Sequence, residues 1–240
     1  MGRRATEGNL LIELGGRPVE YRFARRRRRT LGITVDAAGL RVAAPLRAPW
    51  RDIEAFLREK ERWILAKLEE WSRAPRAEVL RGTSGESLPY LGVGHTLEVR
   101  EGGRAVALDG GVITVSAPGS RILTTLLGWL KTKALETLTP RAARYAAVLA
   151  LPAPTVVLSG GRTRWGVCSA NGTIRLNWRL VHLEPALADY VAAHEVAHLV
   201  EMNHSKRFWS LLARLYPAWH EARERLELAG AALPIIRGTS

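Results

Sequence analysis

The sequence predicts an α+β fold, with strands concentrated in a basic first half and helices in the second. Three observations predict it. Apolar and polar residues alternate in short runs over 9–45 and 88–116, the period of half-buried strands. Apolar residues recur at helical spacing over 48–71, 119–150, 185–202 and 205–228. The composition, 47% hydrophobic and 25% charged over 240 residues, suits a soluble chain that buries a core, with nothing of a disordered or fibrous protein.

The elements follow in order. LLIEL (10–14) and VEYRF (19–23) alternate, and LGITVDAAGLRVAAP (31–45) reads as a hairpin turning at Asp36–Gly39. Between them run Arg25, Arg26, Arg27, Arg28 and Arg29. These arginines form either a phosphate-binding patch or a solvated strand end. Residues 48–71 are expected to form one amphipathic helix, with Ile53, Phe56, Leu57, Ile64 and Leu68 on its apolar stripe and Leu65 widening it. Trp50, Trp63 and Trp71 are expected to pack it on the strands. Residues 73–86 are turn-rich and read as a loop. LPYLG, HTLEVR, RAVALD and GVITVS then read as short strands, broken by the turn pairs Gly102–Gly103 and Gly110–Gly111.

Residues 119–150 are expected to form a helix, a break or kink at Pro140, and a second helix. Residues 154–160 and 173–181 read as strands; in the second, Ile174, Leu176, Trp178 and Leu180 alternate with Thr173, Arg175, Asn177 and Arg179. A helix follows over 185–202, with Pro185 in its first turn and Glu184 beside the positive end of its dipole. The pattern resumes over 205–228, with an interruption expected at Pro217. No internal repeat is visible in the sequence. The expected division is 1–118, basic and β-rich with helix 48–71, and 119–240, which carries the chemistry.

Charge and composition bound the partners. The net charge is +13 and the pI about 10.9. Such a balance attracts nucleic acid or an anionic membrane surface, and a basic surface also suits nucleotides. Almost all of it is arginine, with lysine only at 60, 67, 131, 133 and 206, so a genome-wide composition bias explains it equally simply. The opening MGRRATEGNLLIELGGRPVE lacks the apolar stretch of a signal peptide. No run approaches the ~18 apolar residues that span a bilayer. A cytoplasmic location with no membrane partner is therefore expected. Cys168 is the single cysteine, so no internal disulfide forms and no cysteine cluster holds a metal.

The chemistry concentrates at His194-Glu195-Val196-Ala197-His198, which matches HExxH. Residues four apart share a helix face, so both imidazoles reach one ion. Glu195 lies one step round the helix, near the ion without binding it, and can take a proton from metal-bound water. Zinc lowers the pKa of that water toward about 7. A catalytic zinc needs three protein ligands and one open position. His204 is the candidate third ligand. On an unbroken helix six residues turn a side chain roughly 240° away, so the helix must end first, and Met202–Asn203 is a plausible place. Glu201 and His220 are the competing candidates. One Zn2+ per chain is expected.

The segment RWGVCSANGTIRLNWRLVHLEPALADYVAAHEVAHLVEMNHSKRFW (164–209) resembles the YgjP-like metallopeptidase family, with its RWGxCS turn, LNWRL strand end, HExxH and a downstream NHS followed by aromatics. The likeness extends more loosely over 17–225. It implies a zincin-like catalytic region in a zinc-dependent hydrolase, with His194, His198 and His204 as ligands and Glu195 as base. It also implies kinship with SprT and Spartan-like proteases. Val167 departs from the serine common at that place in the family turn. The third-histidine spacing is also that of metzincins, but Glu201 replaces their glycine and no methionine follows Met202.

Around this centre, 173–180 is a candidate substrate-binding edge strand, with Asn177 or Arg175 facing the cleft. Arg164 and Tyr190 are candidate donors to an oxyanion. Phe208 and Trp209 are expected to pack behind the metal. The expected substrate is a peptide or protein. Two rivals stand beside that reading: a metal-dependent nucleotide hydrolase acting on phosphoanhydrides, and a nucleic-acid-associated protease or binding module using Arg25–Arg29.

Overall fold

The computed structural model describes residues 7–36, 38–73, 77–161 and 164–237. It is a mixed α+β structure in two compact units, Met1–Pro75 and Arg76–Ser240.

In the first unit, β1 (Glu7–Leu14), β2 (Arg17–Arg26), β3 (Gly32–Asp36) and β4 (Gly39–Pro45) precede helices α1 (Trp50–Glu59) and α2 (Glu61–Arg73). The sheet order is β1-β2-β4-β3. Outer pairs are antiparallel and β2 runs parallel to β4. Gly15 and Gly16 join β1 to β2 with φ of 55° and 71°, the left-handed pair that a two-residue hairpin demands. Alternation buries Val19, Tyr21 and Phe23 of β2 and turns Glu20 and Arg22 outward. The buried face meets Ile53, Leu57 and Ile64 of the helices. The single helix expected over 48–71 is in fact two, separated at Lys60, whose backbone (φ −93°, ψ 7°) leaves the helical region. Trp50 stacks obliquely on Phe23 at 4.6 Å and Trp71 packs on the core. Trp63 does not: it points away from the Ile64–Leu68 stripe and is 46% exposed.

The second unit contains β5 (Val79–Leu80), β6 (Ser87–Tyr90), β7 (Val93–Arg100), β8 (Ala105–Asp109), β9 (Val112–Ser116), α3 (Ile122–Val148), β10 (Val156–Ser159), β11 (Gly166–Cys168), β12 (Ile174–Asn177), α4 (Pro185–Ala197), α5 (Lys206–Leu215), α6 (Trp219–Ala231) and β13 (Ile235–Ile236). The sheet β6-β7-β9-β8 repeats the strand order of the first unit, again with a parallel central pair and antiparallel flanks. The repeat is one of topology, which is why the sequence does not display it. This sheet shares a core with α3, through Leu97, Ile113, Val115, Leu126 and Leu130. The boundary expected at 118/119 therefore falls inside the second unit, and the compact units divide at Pro75.

α3 runs through Pro140 without a second helix starting there. Its stripe Leu126, Leu130, Ala134, Leu138, Ala142 and Ala146 is buried on both sides of the proline. Burial of that stripe outweighs the ~3 kcal/mol that an interior proline costs. The segment 73–86, read as a loop, holds β5, which pairs with β13. The strand expected over 173–181 stops at Asn177, and Trp178–His182 turn as a 3-10 helix. Among the described residues no helix is long and apolar enough to cross a membrane.

Candidate metal centre

α4 is the centre of the second unit. Leu187, Ala188, Tyr190, Val191, Ala192, Ala193, Val196 and Ala197 are all buried, so the helix is enclosed nearly all round. Small alanines let α3, α6 and the strand sheet approach it closely. Its start is held by Glu184, which pairs with Arg225 of α6.

The helix ends at Ala197, a turn earlier than the expected 202. The chain then tightens, with Leu199 N–H donating to Val196 O at 3.0 Å and Val200 N–H to Ala197 O at 3.2 Å. Val200 and Met202 are exposed, so no core extends the helix further. Ending here frees His204 to return to the helix. Ser205 caps α5, its hydroxyl accepting from Phe208 N–H at 3.3 Å.

His194, His198 and His204 converge, with ligand atoms all within 4.8 Å of one another. The Nε2 atoms of His194 and His204 lie 3.1 Å apart. Nitrogens about 2.0–2.1 Å from a tetrahedral zinc stand roughly 3.3 Å from each other, so the donor set fits such an ion. His198 Nδ1 contacts the Glu201 carbonyl at 3.0 Å, which leaves Nε2 as its ligand atom. Glu201 thus acts through its backbone, and His220 stacks on Trp219 away from the cluster. Aromatic rings hold the candidate ligands: Phe208 stacks on His198 at 4.4 Å, Trp209 on His204 at 5.5 Å, and Trp219 on Trp209 at 4.5 Å. Burial drives His194 down to about 3 and also lowers His198, with neighbouring imidazoles adding to both. Both rings are therefore neutral at pH 7, the form that binds metal.

Glu195 is 5% exposed and lies outside this ligand set. Burial pushes its carboxyl up to about 7, against the pull of a hydrogen bond from the Cys168 amide. Its position depends on Gly166: a Cβ there would stand 2.5 Å from Glu195 Cγ and Oε1. The motif around Gly166 is a clamp. Trp165 wedges against α6, where a Cβ on Gly230 would meet its ring at 2.3 Å. Asn177 Nδ2 donates to the Gly161 and Arg164 carbonyls at 2.6 and 3.0 Å, and its Oδ1 accepts from Arg179 N–H at 3.1 Å. Sequence reasoning missed Gly166, Trp165 and the Cys168 amide as parts of the site; the signal was the RWG turn itself.

The remaining candidates fare differently. Tyr190 is buried, with its ring 6.0 Å from that of His194 and edge-on to it. Burial raises its phenol pKa, so it stays a donor. Arg164 is exposed just before β11. Asn177, with every polar atom engaged inside the chain, is no cleft contact. β12 is the central strand of β10-β12-β11 and is no edge; the edge next to Glu195 is β11. The arginine run does not form one patch. Arg25 Nη1 donates to the Pro45 and Leu46 carbonyls at 2.9 and 3.1 Å, and its guanidinium lies 5.5 Å from the Trp50 ring. Arg26 pairs with Glu7 at 2.9 Å. Arg27 and Arg29 are exposed, and Arg28 folds over Gly32.

A family model described as YgjP-like, metallopeptidase domain, matches residues 29–229. No curated protein and no solved structure matches the chain.

Proposed function

We propose, since the chain belongs to the YgjP-like metallopeptidase family, that it hydrolyses peptide bonds with one zinc ion held by His194, His198 and His204 and with Glu195 as general base. The observation that carries this is the convergence of three imidazoles beside a buried carboxylate that is not one of the ligands. When bound, zinc supplies Lewis acidity, polarising a carbonyl and acidifying water, and three protein ligands leave it one open position.

Glu195 takes a proton from the attacking water as the new C–O bond forms. It returns that proton to the amine nitrogen as the C–N bond breaks. Gly166 leaves room for the carboxylate and the Cys168 amide orients it. Tyr190 is the better placed oxyanion donor, since its ring borders a metal ligand. Among the described residues β11 is paired on one side only, so an extended peptide adds along its other edge by main-chain hydrogen bonds.

The test incubates zinc-loaded wild type and Glu195→Gln with unfolded protein and, separately, with nucleoside triphosphates. Protein fragments from the wild type alone are expected. Phosphate release without protein cleavage would replace the peptide bond by a phosphoanhydride. Two inert proteins that both hold zinc would remove the enzymatic assignment.

A further inference from the structure

The outward face of the first unit's sheet carries a second, unrelated chemistry. Across the strands Asn9 lies opposite Arg22, Arg22 beside Arg41, and Arg41 opposite Thr34. The next row is Glu7, Ala24, Ala43 and Gly32. Small side chains thus floor a cleft of about 650 Å³ that Arg22, Arg26, Arg28 and Arg41 surround. Arg26 and Arg41 are held by Glu7 and Asp36. The side chains of Arg22 and Arg28 have no partner among the described residues. From Arg17 to Arg47 nine arginines face two acids, Glu20 and Asp36.

The fold itself does not require this. In the repeated sheet of the second unit the pair Leu97–Ile113 stands where Tyr21–Leu40 stands in the first. The place of Arg22 beside Arg41 is then taken by Glu98 beside Thr114, which hydrogen-bond to each other at 3.2 Å. The same scaffold therefore neutralises this position in one copy and leaves it cationic in the other.

We infer that the cleft binds the sugar–phosphate backbone of single-stranded nucleic acid. Guanidinium forks match phosphate oxygens in pairs. Sites of roughly 300–1,000 Å³ enclose ligands the size of one or two nucleotides, so a strand enters where a duplex or a flat anionic membrane does not. Among the described residues the only aromatic lining the cleft, Phe23, is buried, so bases are not stacked and binding is independent of sequence.

The test titrates the full chain into a fluorescein-labelled oligothymidylate at rising NaCl, beside R22Q/R28Q and the equal-charge control R27Q/R29Q, each checked for an unchanged Tm. Each phosphate contact contributes about −0.7 to the slope of log K against log salt. R22Q/R28Q is expected to flatten that slope by about 1.4 and to weaken low-salt binding at least tenfold, and the control less than about threefold. Equal losses in the two variants would reduce the effect to net charge and overturn the cleft. So would no binding by wild type at low salt, or tighter binding to duplex or to anionic vesicles with the same sensitivity to R22Q/R28Q.

Discussion

Among the described residues the buried polar ones, Asn177, His182, Glu195 and His198, all lie in the second unit, whereas those buried in the first unit are all aliphatic or aromatic and its charged side chains stay in water. A buried polar group without a partner costs about 1–3 kcal/mol, so each one kept must have a bond or a use. Asn177 has its bonds. Glu195 and His198 belong to the candidate metal centre. The first unit keeps its candidate chemistry on its surface, where substitutions are expected to change binding and spare the fold. In the second unit chemistry and core coincide, and the same size of change is felt in both.

That contrast can be broken in several places. The largest effect is expected for Glu195→Gln. Loss of the base should lower peptide turnover about 10³-fold, with zinc still bound as read by metal content. Next is Gly166→Ala. Gly166 has no left-handed φ, so alanine is backbone-tolerated, and the new Cβ acts only by displacing Glu195. Turnover should fall about 10²-fold at unchanged zinc affinity; a fall of less than threefold would show that Glu195 has room to move. Asn177→Ala strands the Gly161 and Arg164 carbonyls and should cost about 2 kcal/mol in urea unfolding.

His182 gives the second unit a pH dependence. Burial lowers its pKa from 6.5 to about 4, with Nδ1 2.6 Å from the Pro89 carbonyl. Between those values the unfolded chain holds a proton that the folded one does not. Stability is therefore full above about 6.5 and falls by about 1.4 kcal/mol per pH unit on acidification toward 4. The unfolding free energies from urea at pH 7 and 5 should differ by about 2 kcal/mol more for wild type than for His182→Gln; parallel behaviour would contradict it. The smallest effect belongs to the first unit, where Glu7→Gln removes the exposed pair with Arg26 and should leave the unfolding midpoint unmoved.

Local pattern carried much of this into the sequence. The alternation of β1–β4, the HExxH helix, the aromatics behind the ligands and the need for that helix to end before His204 all follow from periodicity and zinc chemistry. What was hidden depends on partners distant in the chain. Gly166 reads as a turn residue until Glu195 lies against it. Trp178 and Leu180 extend a strand pattern that the Asn177 side chain ends by capping the next turn. Pro140 reads as a break because the core that carries α3 through it is assembled by other elements. The five arginines look alike in sequence and separate only when Phe23 and Trp50 take Arg25, Glu7 takes Arg26 and Gly32 lies under Arg28, with Arg27 and Arg29 left exposed.

The central claim is that three histidines hold the metal and Glu195 stands outside them. Zinc titration of the chelator-stripped chain by calorimetry, run beside His204→Ala and Glu195→Gln, tests it most directly. One zinc per chain is expected for wild type and for Glu195→Gln with similar affinity, and a loss of at least about 10²-fold for His204→Ala. Equal affinity in wild type and His204→Ala, or loss of zinc in Glu195→Gln, would contradict it.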